Sequence, residues 1–552
     1  MMIPLLSFVG IALAGSVSAQ GGFVKAPTDL TSKDGHANTT VRFKSVPAGI
    51  CEMDSDVKSY SGYVDTAENE HMYFWFFEAR KDPKDAPLTV WFNGGPGSSS
   101  MIGLFQENGP CRVTPDGKVH NNKHSWSEVS NMLFIDQPVT TGLSYSKVGP
   151  VVYNTETHSI VKSLDKDECP SDLKKTEACG TFSLPEDTDA PSTTLSTPPA
   201  VWKLMQGFLG AFPEYANASL HLTTESYGGH FGPAFGAYFL EQNKKNLPDT
   251  VPLNLESVMI GNGWFDPMVQ YQAYYNFTVS PGNTYDYHPY NKSVTDKLYN
   301  DLYGEGKCVD QLKECYSSRS DKICRKTDAF CAAHVESVLD VVVKRDEYDI
   351  RELMPDPFPY GRYAKYLNSE KVQKAIGAYQ NYSESSPIVG KTFTKTGDDS
   401  RRQSSVKNLQ SLLDQGVTVT LLAGDADYNC NWLGVEVIAH MVAGKDFASA
   451  GYADIKTSGP ETPGQVKQAG NFSFARIYYS GHEVPFYQPI AALEVMNRTL
   501  FHRDIATGQR STSNGYKTKG SHQSTFRQGN DTVQFKPLPK NATYNPITHK
   551  PN

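Results

Sequence analysis

The sequence predicts an α/β fold in which a mostly parallel central sheet carries helices on both faces. Short apolar segments of strand length, at residues 87–92, 131–135 and 416–422, indicate buried strands. These segments alternate with stretches of helical periodicity, which is typical of parallel strands joined by helices. The chain has 552 residues, 39% of them hydrophobic, which is sufficient for one large core with insertions or for two domains.

The chain begins with an apolar run from Ile3 to Gly15, followed by small residues up to Ala19. This pattern predicts a signal peptide over residues 1–19, and a buried N-terminal helix is the alternative. No later apolar run approaches the roughly 20 residues needed to span a bilayer, so no membrane partner is expected. The net charge of −8, without strong charge runs, argues against a nucleic-acid partner.

Acceptor triplets for N-linked glycosylation, Asn-x-Ser/Thr, are frequent enough to support a secretory route. They begin at Asn38, Asn217, Asn276, Asn291, Asn381, Asn471, Asn497, Asn530 and Asn541. The sequence therefore predicts a secreted glycoprotein, with a vacuolar destination as the alternative. It predicts neither the oligomeric state nor which triplets are occupied.

The first part of the core is predicted over residues 20–267. Aromatic and β-branched residues at 41–43, 60–64 and 71–77 indicate early strands in this part. Residues 168–199 are polar and rich in Pro, Ser and Thr, and we expect a loop-rich excursion there.

An insertion is predicted over residues 268–395, where the hydrophobic periodicity is helical but interrupted. We expect it to cover the active edge of the sheet as a lid. The second part of the core follows at residues 396–502 and contains the last predicted strand, 472–479. Residues 503–552 are polar, and a disordered tail is expected there.

The chain contains nine cysteines, an odd number. Four of them lie in the predicted insertion with spacings of 7, 9 and 7 residues, which suggests nested bridges. A zinc site is the alternative, but its usual C-x₂₋₄-C spacing is missing. The candidate disulfides are Cys308–Cys331, Cys315–Cys324, Cys169–Cys179 and Cys51–Cys111. Cys430 is left over, and spacing alone does not prove this connectivity.

The segment His221–His230 contains the candidate nucleophile, Ser226. An apolar approach at 218–223 is typical of a strand, and a helix-like run follows at 231–243. A serine on a tight turn between strand and helix is the nucleophile elbow of an α/β-hydrolase, whose G-x-S-x-G pattern is kept here only at Gly228. An ordinary Ser-Gly turn is the alternative interpretation.

A glycine-rich loop, residues 93–100, follows the predicted strand 87–92 and precedes a helix-like stretch at 101–107. It offers several backbone N–H groups that are unhindered by side chains. A strand–loop–helix junction with free amides is the geometry of an oxyanion hole. A plain glycine turn is the alternative.

Ser226, Asp427 and His482 each follow a predicted strand, in the chain order of an α/β-hydrolase triad. The serine hydroxyl is a poor nucleophile until an imidazole takes its proton, and a buried carboxylate fixes the imidazole tautomer and stabilises the imidazolium. The joint placement favours a triad over a capping Asp and an ordinary polar His. The sequence therefore predicts an α/β-hydrolase fold with a helical, disulfide-containing insertion.

Six motifs between Val41 and Leu500 identify a specific protein family that the chain resembles. They are Trp91–Ser99, Ile135–Tyr145, Glu225–Gly229, Gly261–Pro267, Ala423–Trp432 and Gly481–Pro485. With these motifs the chain resembles the serine carboxypeptidases of the carboxypeptidase Y type, in their secreted fungal form. The spacing of the four insertion cysteines also resembles the nested pair in the insertion of that family.

The resemblance implies catalytic roles for residues at matching positions. Ser226, Asp427 and His482 match the catalytic triad of the family. The amides of Gly95 and Tyr227 match its oxyanion hole.

The resemblance also implies a site for the terminal carboxylate of the peptide, formed by Asn93, Gly94, Glu107 and Glu225. Two carboxyls held close together do not both ionise readily, so the pair shares protons. When protonated, the pair donates hydrogen bonds to the substrate terminus; when ionised, it repels that terminus. Exopeptidase activity is therefore expected to be favoured at acidic pH.

Cys430 matches the unpaired thiol that the family has beside its active site.

The chain departs from the family pattern at three positions. Thr224 stands where the family usually has Gly, and Gly228 stands where it often has Ala. Ser98 replaces a cysteine of the glycine loop, which implies a rearranged bridge, for example through Cys51 and Cys111.

The sequence thus predicts a serine-type carboxypeptidase that acts on peptide and protein C-termini through an acyl-enzyme on Ser226. No cofactor is expected and no metal either, because the sequence has no H-E-x-x-H motif. The alternatives are an acyltransferase on the same scaffold and a catalytically silent secreted glycoprotein. The side-chain preference of the acyl-side pocket does not follow from the sequence.

Overall fold

The computed structural model describes residues 22–184, 190–401, 404–512 and 515–552, so the predicted signal peptide lies outside the described residues. The strands in these ranges are β1 (Thr31–Asp34), β2 (Thr40–Ser45), β3 (Ser59–Ala67), β4 (Glu70–Phe77), β5 (Leu88–Phe92), β6 (Cys111–Val113), β7 (Val119–Asn121), β8 (Asn131–Ile135), β9 (Val148–Asn154), β10 (Ile160–Ser163), β11 (Glu177–Ser183), β12 (Leu220–Ser226), β13 (Leu255–Gly263), β14 (Thr418–Gly424), β15 (Ala453–Asp454), β16 (Gly464–Ala469), β17 (Phe472–Ile477), β18 (Tyr544–Asn545) and β19 (Lys550–Pro551).

The α-helices of the same ranges are α1 (Pro198–Ala211), α2 (Gly228–Lys245), α3 (Pro267–Thr278), α4 (Lys292–Tyr303), α5 (Cys308–Ser318), α6 (Asp321–Cys331), α7 (Tyr363–Leu367), α8 (Glu370–Ile376), α9 (Pro387–Thr396), α10 (Ser405–Asp414), α11 (Trp432–Ala448), α12 (Val484–Tyr487) and α13 (Pro489–Leu500). Within the described ranges, no helix combines the length and the apolar composition that a membrane span requires.

One sheet of 12 strands runs through the molecule in the order β1-β2-β3-β4-β8-β5-β12-β13-β14-β17-β16-β15. The central strands from β8 to β17 are parallel to one another. Antiparallel strands extend the sheet at both sides, β1–β4 on one and β15–β16 on the other. The predicted α/β fold with parallel central strands and flanking helices is confirmed.

Helices cover both faces of the sheet, and β5 shows why the sequence requires this. Leu88, Val90 and Phe92 pack in the core cluster that contains residues of α1, α2, α10 and α11. Trp91 points to the other face and packs in the cluster that contains residues of α13. Each fully buried large apolar side chain stabilises the fold by about 1.5–3 kcal/mol. A strand that is apolar on both faces therefore needs helices on both sides.

The predicted insertion contains α3 to α9, and its helices α5 and α6 are joined twice by disulfides. The bridges present are Cys308–Cys331, Cys315–Cys324, Cys169–Cys179 and Cys51–Cys111, as the sequence predicted. Cys430 is the free cysteine of the described chain, and it is buried.

The region 168–199, expected to be loop-rich, contains a strand. β11 pairs with β9 in a small three-stranded sheet that also includes β10. The Cys169–Cys179 disulfide joins β11, which contains Cys179, to the loop that precedes it. The polar composition of this region did not indicate the strand, because β11 is stabilised by pairing with β9, which lies outside the region.

The expectation of a disordered tail at 503–552 differs from the structure, in which residues 503–512 and 515–552 lie against the core and the insertion. Val533 is buried in the larger core cluster. The backbone of Gln534 donates to Arg351 O at 2.7 Å and accepts from Arg345 Nη2 at 2.6 Å. β18 and β19 then form a hairpin. A few buried contacts to distant residues hold a segment whose own composition is polar.

Most of the predicted glycosylation positions are accessible in the structure. Asn38, Asn217, Asn291, Asn530 and Asn541 are exposed, and Asn276, Asn471 and Asn497 are half-buried.

Asn381 is the exception, and the prediction of a glycan there is wrong for the folded chain. Its side chain is only 2% exposed. The Asn381 side-chain oxygen accepts from Thr181 N at 2.7 Å, and its amide nitrogen donates to Gly22 O at 3.3 Å. A glycan has no space at a buried amide that is already hydrogen-bonded.

Candidate active site

The three candidate catalytic residues lie at one edge of the parallel sheet. β12 ends at Ser226. Asp427 comes three residues after the end of β14, and His482 comes five residues after the end of β17. Parallel strands place their carboxyl ends at the same edge of a sheet, where open α/β folds bind their ligands.

Ser226 occupies a strained turn between β12 and α2. Its φ is 59°, in the left-handed region that non-glycine residues adopt at a cost. α2 begins two residues later, at Gly228, and the Ser226 carbonyl accepts from Trp264 N at 2.8 Å. This is the strand–turn–helix geometry of a nucleophile elbow.

Thr224 and Gly228, two of the departures from the family pattern, fit each other. Thr224 Oγ1 donates to Phe92 O at 2.6 Å. A Cβ added at Gly228 would lie 1.9 Å from the same Oγ1. The threonine side chain therefore fills the space that a larger residue at position 228 would need.

His482 and Asp427 form the charged pair of the candidate triad. His482 Nδ1 lies 2.8 Å from Asp427 Oδ2, which also accepts from Asn262 Nδ2 at 2.7 Å. Burial opposes a charge on the imidazole, but the Asp427 carboxylate outweighs this effect, with help from Glu107 and Glu347, and the pKa of His482 is raised. The carboxylate thus orients the ring and stabilises its protonated form.

Ser226 is half-buried. No hydrogen bond joins its hydroxyl to His482 in the described part of the chain, whereas the His482–Asp427 bond is formed. Contacts between nucleophile and base commonly tighten only when substrate is bound.

The glycine-rich loop lies directly against the elbow. A Cβ added at Gly94 would lie 2.4 Å from Tyr227 N and 2.9 Å from Ser226 Cβ, so only glycine permits this approach. Gly95 has a φ of 106°, which favours glycine as well. The two amides implied for the oxyanion hole, those of Gly95 and Tyr227, therefore belong to backbone segments in contact.

A buried carboxylate holds the glycine loop in place. Asp136 Oδ1 accepts from Ser99 Oγ at 2.7 Å and from Ser100 N at 2.8 Å. Asp136 Oδ2 accepts from Leu143 N at 2.8 Å. Burial raises the pKa of Asp136 to about 6, so above that pH the carboxylate is ionised and these donors hold it.

Two of the residues implied for carboxylate binding, Asn93 and Gly94, belong to the glycine-rich loop, and the other two, Glu107 and Glu225, are buried next to Asn93. Asn93 Nδ2 donates to Glu225 Oε1 at 2.7 Å. Burial raises the pKa of Glu107 to about 7. Burial, together with the neighbouring Glu107, raises the pKa of Glu225 well above its usual range. The Glu107–Glu225 pair therefore retains protons at mildly acidic pH, as two adjacent buried carboxyls must.

Sequence reasoning missed two members of this cluster, Glu483 and Arg112. Burial, with the nearby Glu107 and Glu384 carboxyls, raises the pKa of Glu483 well above its usual range. Arg112 Nη2 donates to the backbone oxygen of Glu107. Glu483 lies within the motif Gly481–Pro485, directly after His482, and that position was the available signal.

Residues 345–351 of the insertion, which we call the bridging segment, connect the two turns that carry the charged pair. Glu347 O accepts from Tyr428 N at 3.1 Å and from Asn429 N at 2.9 Å, beside Asp427. Tyr348 O accepts from His482 N at 2.9 Å, and the Tyr348 ring packs 4.9 Å from the imidazole. No motif in the sequence indicated this role.

Cys430 lies beside the charged pair. Its sulfur, an Asp427 oxygen and a His482 ring nitrogen are within 4.8 Å of one another. Burial, followed by the Asp427 charge, raises the pKa of the Cys430 thiol well above its usual range. Among the described residues this is the one group of three side chains close enough to hold a metal ion, and the triad hydrogen bond already occupies part of it.

A profile of the serine carboxypeptidase family matches residues 49–502. Carboxypeptidase S1 homolog B from Arthroderma otae is 38% identical over 542 residues, which cover 91% of this chain and 82% of that protein. Carboxypeptidase S1 from Penicillium janthinellum is 37% identical over 467 residues, covering 83% of this chain and 99% of that protein.

Among solved structures, a prohormone-processing carboxypeptidase from Saccharomyces cerevisiae superposes with a TM-score of 0.63 at 21% identity. The superposition covers 86% of this chain and 96% of that one, and it shows the shared fold. The match of the family profile over most of the chain and the identity with the two fungal relatives agree with the resemblance of the motifs. The chain therefore belongs to the serine carboxypeptidase family and is a serine-type carboxypeptidase on an α/β-hydrolase fold.

Proposed function

We propose that this carboxypeptidase cleaves the last peptide bond of its substrate through an acyl-enzyme on Ser226. The Ser226 oxygen attacks the scissile carbonyl carbon while His482 takes the hydroxyl proton. His482 then returns the proton to the nitrogen of the departing residue, and the C–N bond breaks. Water, activated by the same imidazole, hydrolyses the ester and restores the serine. The observation that carries the proposal is the buried His482–Asp427 hydrogen bond, at the same edge of the sheet as the Ser226 elbow.

The oxyanion of the tetrahedral intermediate would be held by the amides of Gly95 and Tyr227. Removing one such donor typically costs 10²–10³-fold in kcat. The contact of Gly94 with Tyr227 N supports this role, because it brings the glycine loop onto the elbow.

The terminal carboxylate of the peptide would bind to Asn93, the Gly94 amide and the protonated pair Glu107 and Glu225. A shared proton makes the pair a hydrogen-bond donor to an anion, and Asn93 is already bonded to Glu225. This requirement for a free carboxylate explains the restriction to the last residue of a chain.

We propose that activity is favoured at acidic pH. The pKa values of Glu107 and Glu225 are raised, so both are protonated in acid and the pair loses its first proton near pH 7. Ionisation then repels the substrate carboxylate. In acid, Glu107 and Glu347 are neutral and stop stabilising the imidazolium, which leaves Asp427 as the main charge that raises the His482 pKa.

We further propose that the substrates are peptide and protein C-termini met along the secretory route, outside the cell or in a vacuole. The apolar N-terminal run and the acceptor asparagines, all of them exposed or half-buried except Asn381, support this proposal. The four disulfides agree with an oxidising compartment.

A fluorophosphonate probe and a pair of matched peptides test the mechanism. We expect the folded protein to be labelled at Ser226, the Ser226→Ala variant to be unlabelled, and a blocked dipeptide to be cleaved far faster than its C-terminal amide. Folded parent protein without labelling, or equal rates on the free acid and the amide, would refute the proposal.

A further inference from the structure

The Asp427 and His482 turns are joined to each other through the insertion as well as through their own side chains. Beside the contacts of Glu347 and Tyr348 already described, Ile350 N donates to Ala426 O at 2.8 Å. The bridging segment therefore contacts the backbone on both sides of the catalytic hydrogen bond. A displacement of this segment changes the distance and angle between the imidazole and its carboxylate.

The C-terminal tail in turn holds the bridging segment at both of its ends. Arg345 is 1% exposed; its Nη1 donates to Ile350 O at 3.0 Å and its Nη2 to Gln534 O at 2.6 Å. Gln534 N donates to Arg351 O at 2.7 Å. Val533, next to Gln534, is buried in the larger core cluster and anchors this contact.

The tail also contacts the helical turn that follows His482. The Tyr544 ring lies 5.6 Å from Phe486 and 5.1 Å from Tyr487, both in α12. Tyr544 N donates to the Tyr360 hydroxyl of the insertion at 2.8 Å. The family profile ends at residue 502, so these contacts come from chain beyond the part that the profile describes.

We propose that the tail, through Gln534, Arg345 and the bridging segment, positions the Asp427–His482 pair for catalysis. The proposal rests on the triad assigned under the proposed function. The tail residues named above act by fixing the backbone that carries the imidazole and its carboxylate. Misplacement of a catalytic group by about 1 Å costs on the order of 10²-fold in rate.

The first variant is Val533→Asp in the full chain, which places a charge in the core and detaches the tail around Gln534. The second carries a site-specific protease sequence between Gly529 and Asn530, where Gly529 has open space around it and Asn530 is exposed. Cutting it, and separating the released segment, removes residues 530–552 from folded protein. The control has the same sequence inserted after Gly117, in the exposed β6–β7 turn.

The assay measures kcat, KM and the acid limb of the pH–rate profile on a blocked dipeptide. We expect both tail variants to lose about 10- to 100-fold in kcat with little change in KM. The acid limb moves to lower pH, because a displaced Asp427 no longer raises the His482 pKa as strongly. The control variant, with the protease sequence after Gly117, keeps the kcat and the acid limb of the parent.

Three results would overturn the proposal: parental kcat and acid limb after complete removal of 530–552, a loss of activity that only follows the unfolded fraction with an unmoved acid limb, or a chain that does not fold without the tail. The last result would make the tail a stability element. An inactive, unlabelled parent would instead refute the proposed function, so the two failures are distinguishable.

Discussion

Glu107→Gln tests the chemistry proposed for the carboxylate site. Glutamine keeps a hydrogen-bond donor at nearly the same position but cannot ionise. Burial raises the pKa of Glu107 to about 7, so at pH 8 about a tenth of the side chains hold a proton. In the parent we expect kcat/KM for a free-acid dipeptide to fall about tenfold from pH 6 to pH 8, equivalent to about 1.4 kcal/mol of binding free energy. In the Glu107→Gln variant, most of this decrease in kcat/KM between pH 6 and pH 8 is expected to disappear.

The assay compares kcat/KM of parent and variant on a blocked dipeptide and on its C-terminal amide from pH 5 to pH 9. The amide has no carboxylate to be repelled, so its profile isolates the ionisation of His482, which is common to both substrates. Glu241→Gln, on the exposed side of α2, is the matched control and keeps the parental profile. The reasoning fails if the free acid shows no fall in the parent, if the amide shows the same fall, or if Glu107→Gln retains it.

Three further predictions follow from buried groups. Gly228→Ala should lower the free energy of unfolding by about 1–3 kcal/mol, because the added methyl group overpacks against Thr224. The same substitution should be nearly neutral in a Thr224→Gly background. Additive effects of the two substitutions, measured by urea unfolding, would contradict this. Organomercurials should inhibit the parent through Cys430 next to the charged pair, and a Cys430→Ser variant that is equally sensitive would contradict this. Thermal stability should decrease from pH 5 to pH 7, because carboxyls with raised pKa values leave the folded state holding more protons than the unfolded one, at no more than about 1.4 kcal/mol per pH unit for each; a Tm that rises over this range would be the contrary result. Carboxyls of this kind with a pKa of about 7 are Glu107, Asp328 and Glu347.

The parts of the site that could be predicted from sequence depend on local pattern and chain order. A buried strand followed by a small-residue turn indicates the elbow at Ser226, and the same reasoning applies to the turns of Asp427 and His482. In a parallel sheet these turns must meet at one edge. The cysteine spacing in the insertion was similarly informative, since nested bridges need only two adjacent helices.

The parts that could not be predicted depend on partners distant in sequence. Nothing around Glu347 or Tyr348 indicates that their carbonyls accept from the backbone beside Asp427 and from His482. The order of the tail comes from contacts such as Gln534 with Arg345, 189 residues apart. Asn381 has an intact acceptor triplet and yet is buried, because burial is a property of the assembled fold.

The support that the bridging segment gives to both catalytic turns has a consequence for protein engineering. An insertion that only shapes a pocket can be exchanged between relatives as a module, and the exchange then changes only the range of substrates. Here the predicted insertion also supplies backbone acceptors, the carbonyls of Glu347 and Tyr348, to the turns that carry Asp427 and His482. A chimera in which residues 268–395 come from a relative must reproduce the positions of the Glu347 and Tyr348 carbonyls. Otherwise its turnover will fall, in addition to any change in selectivity.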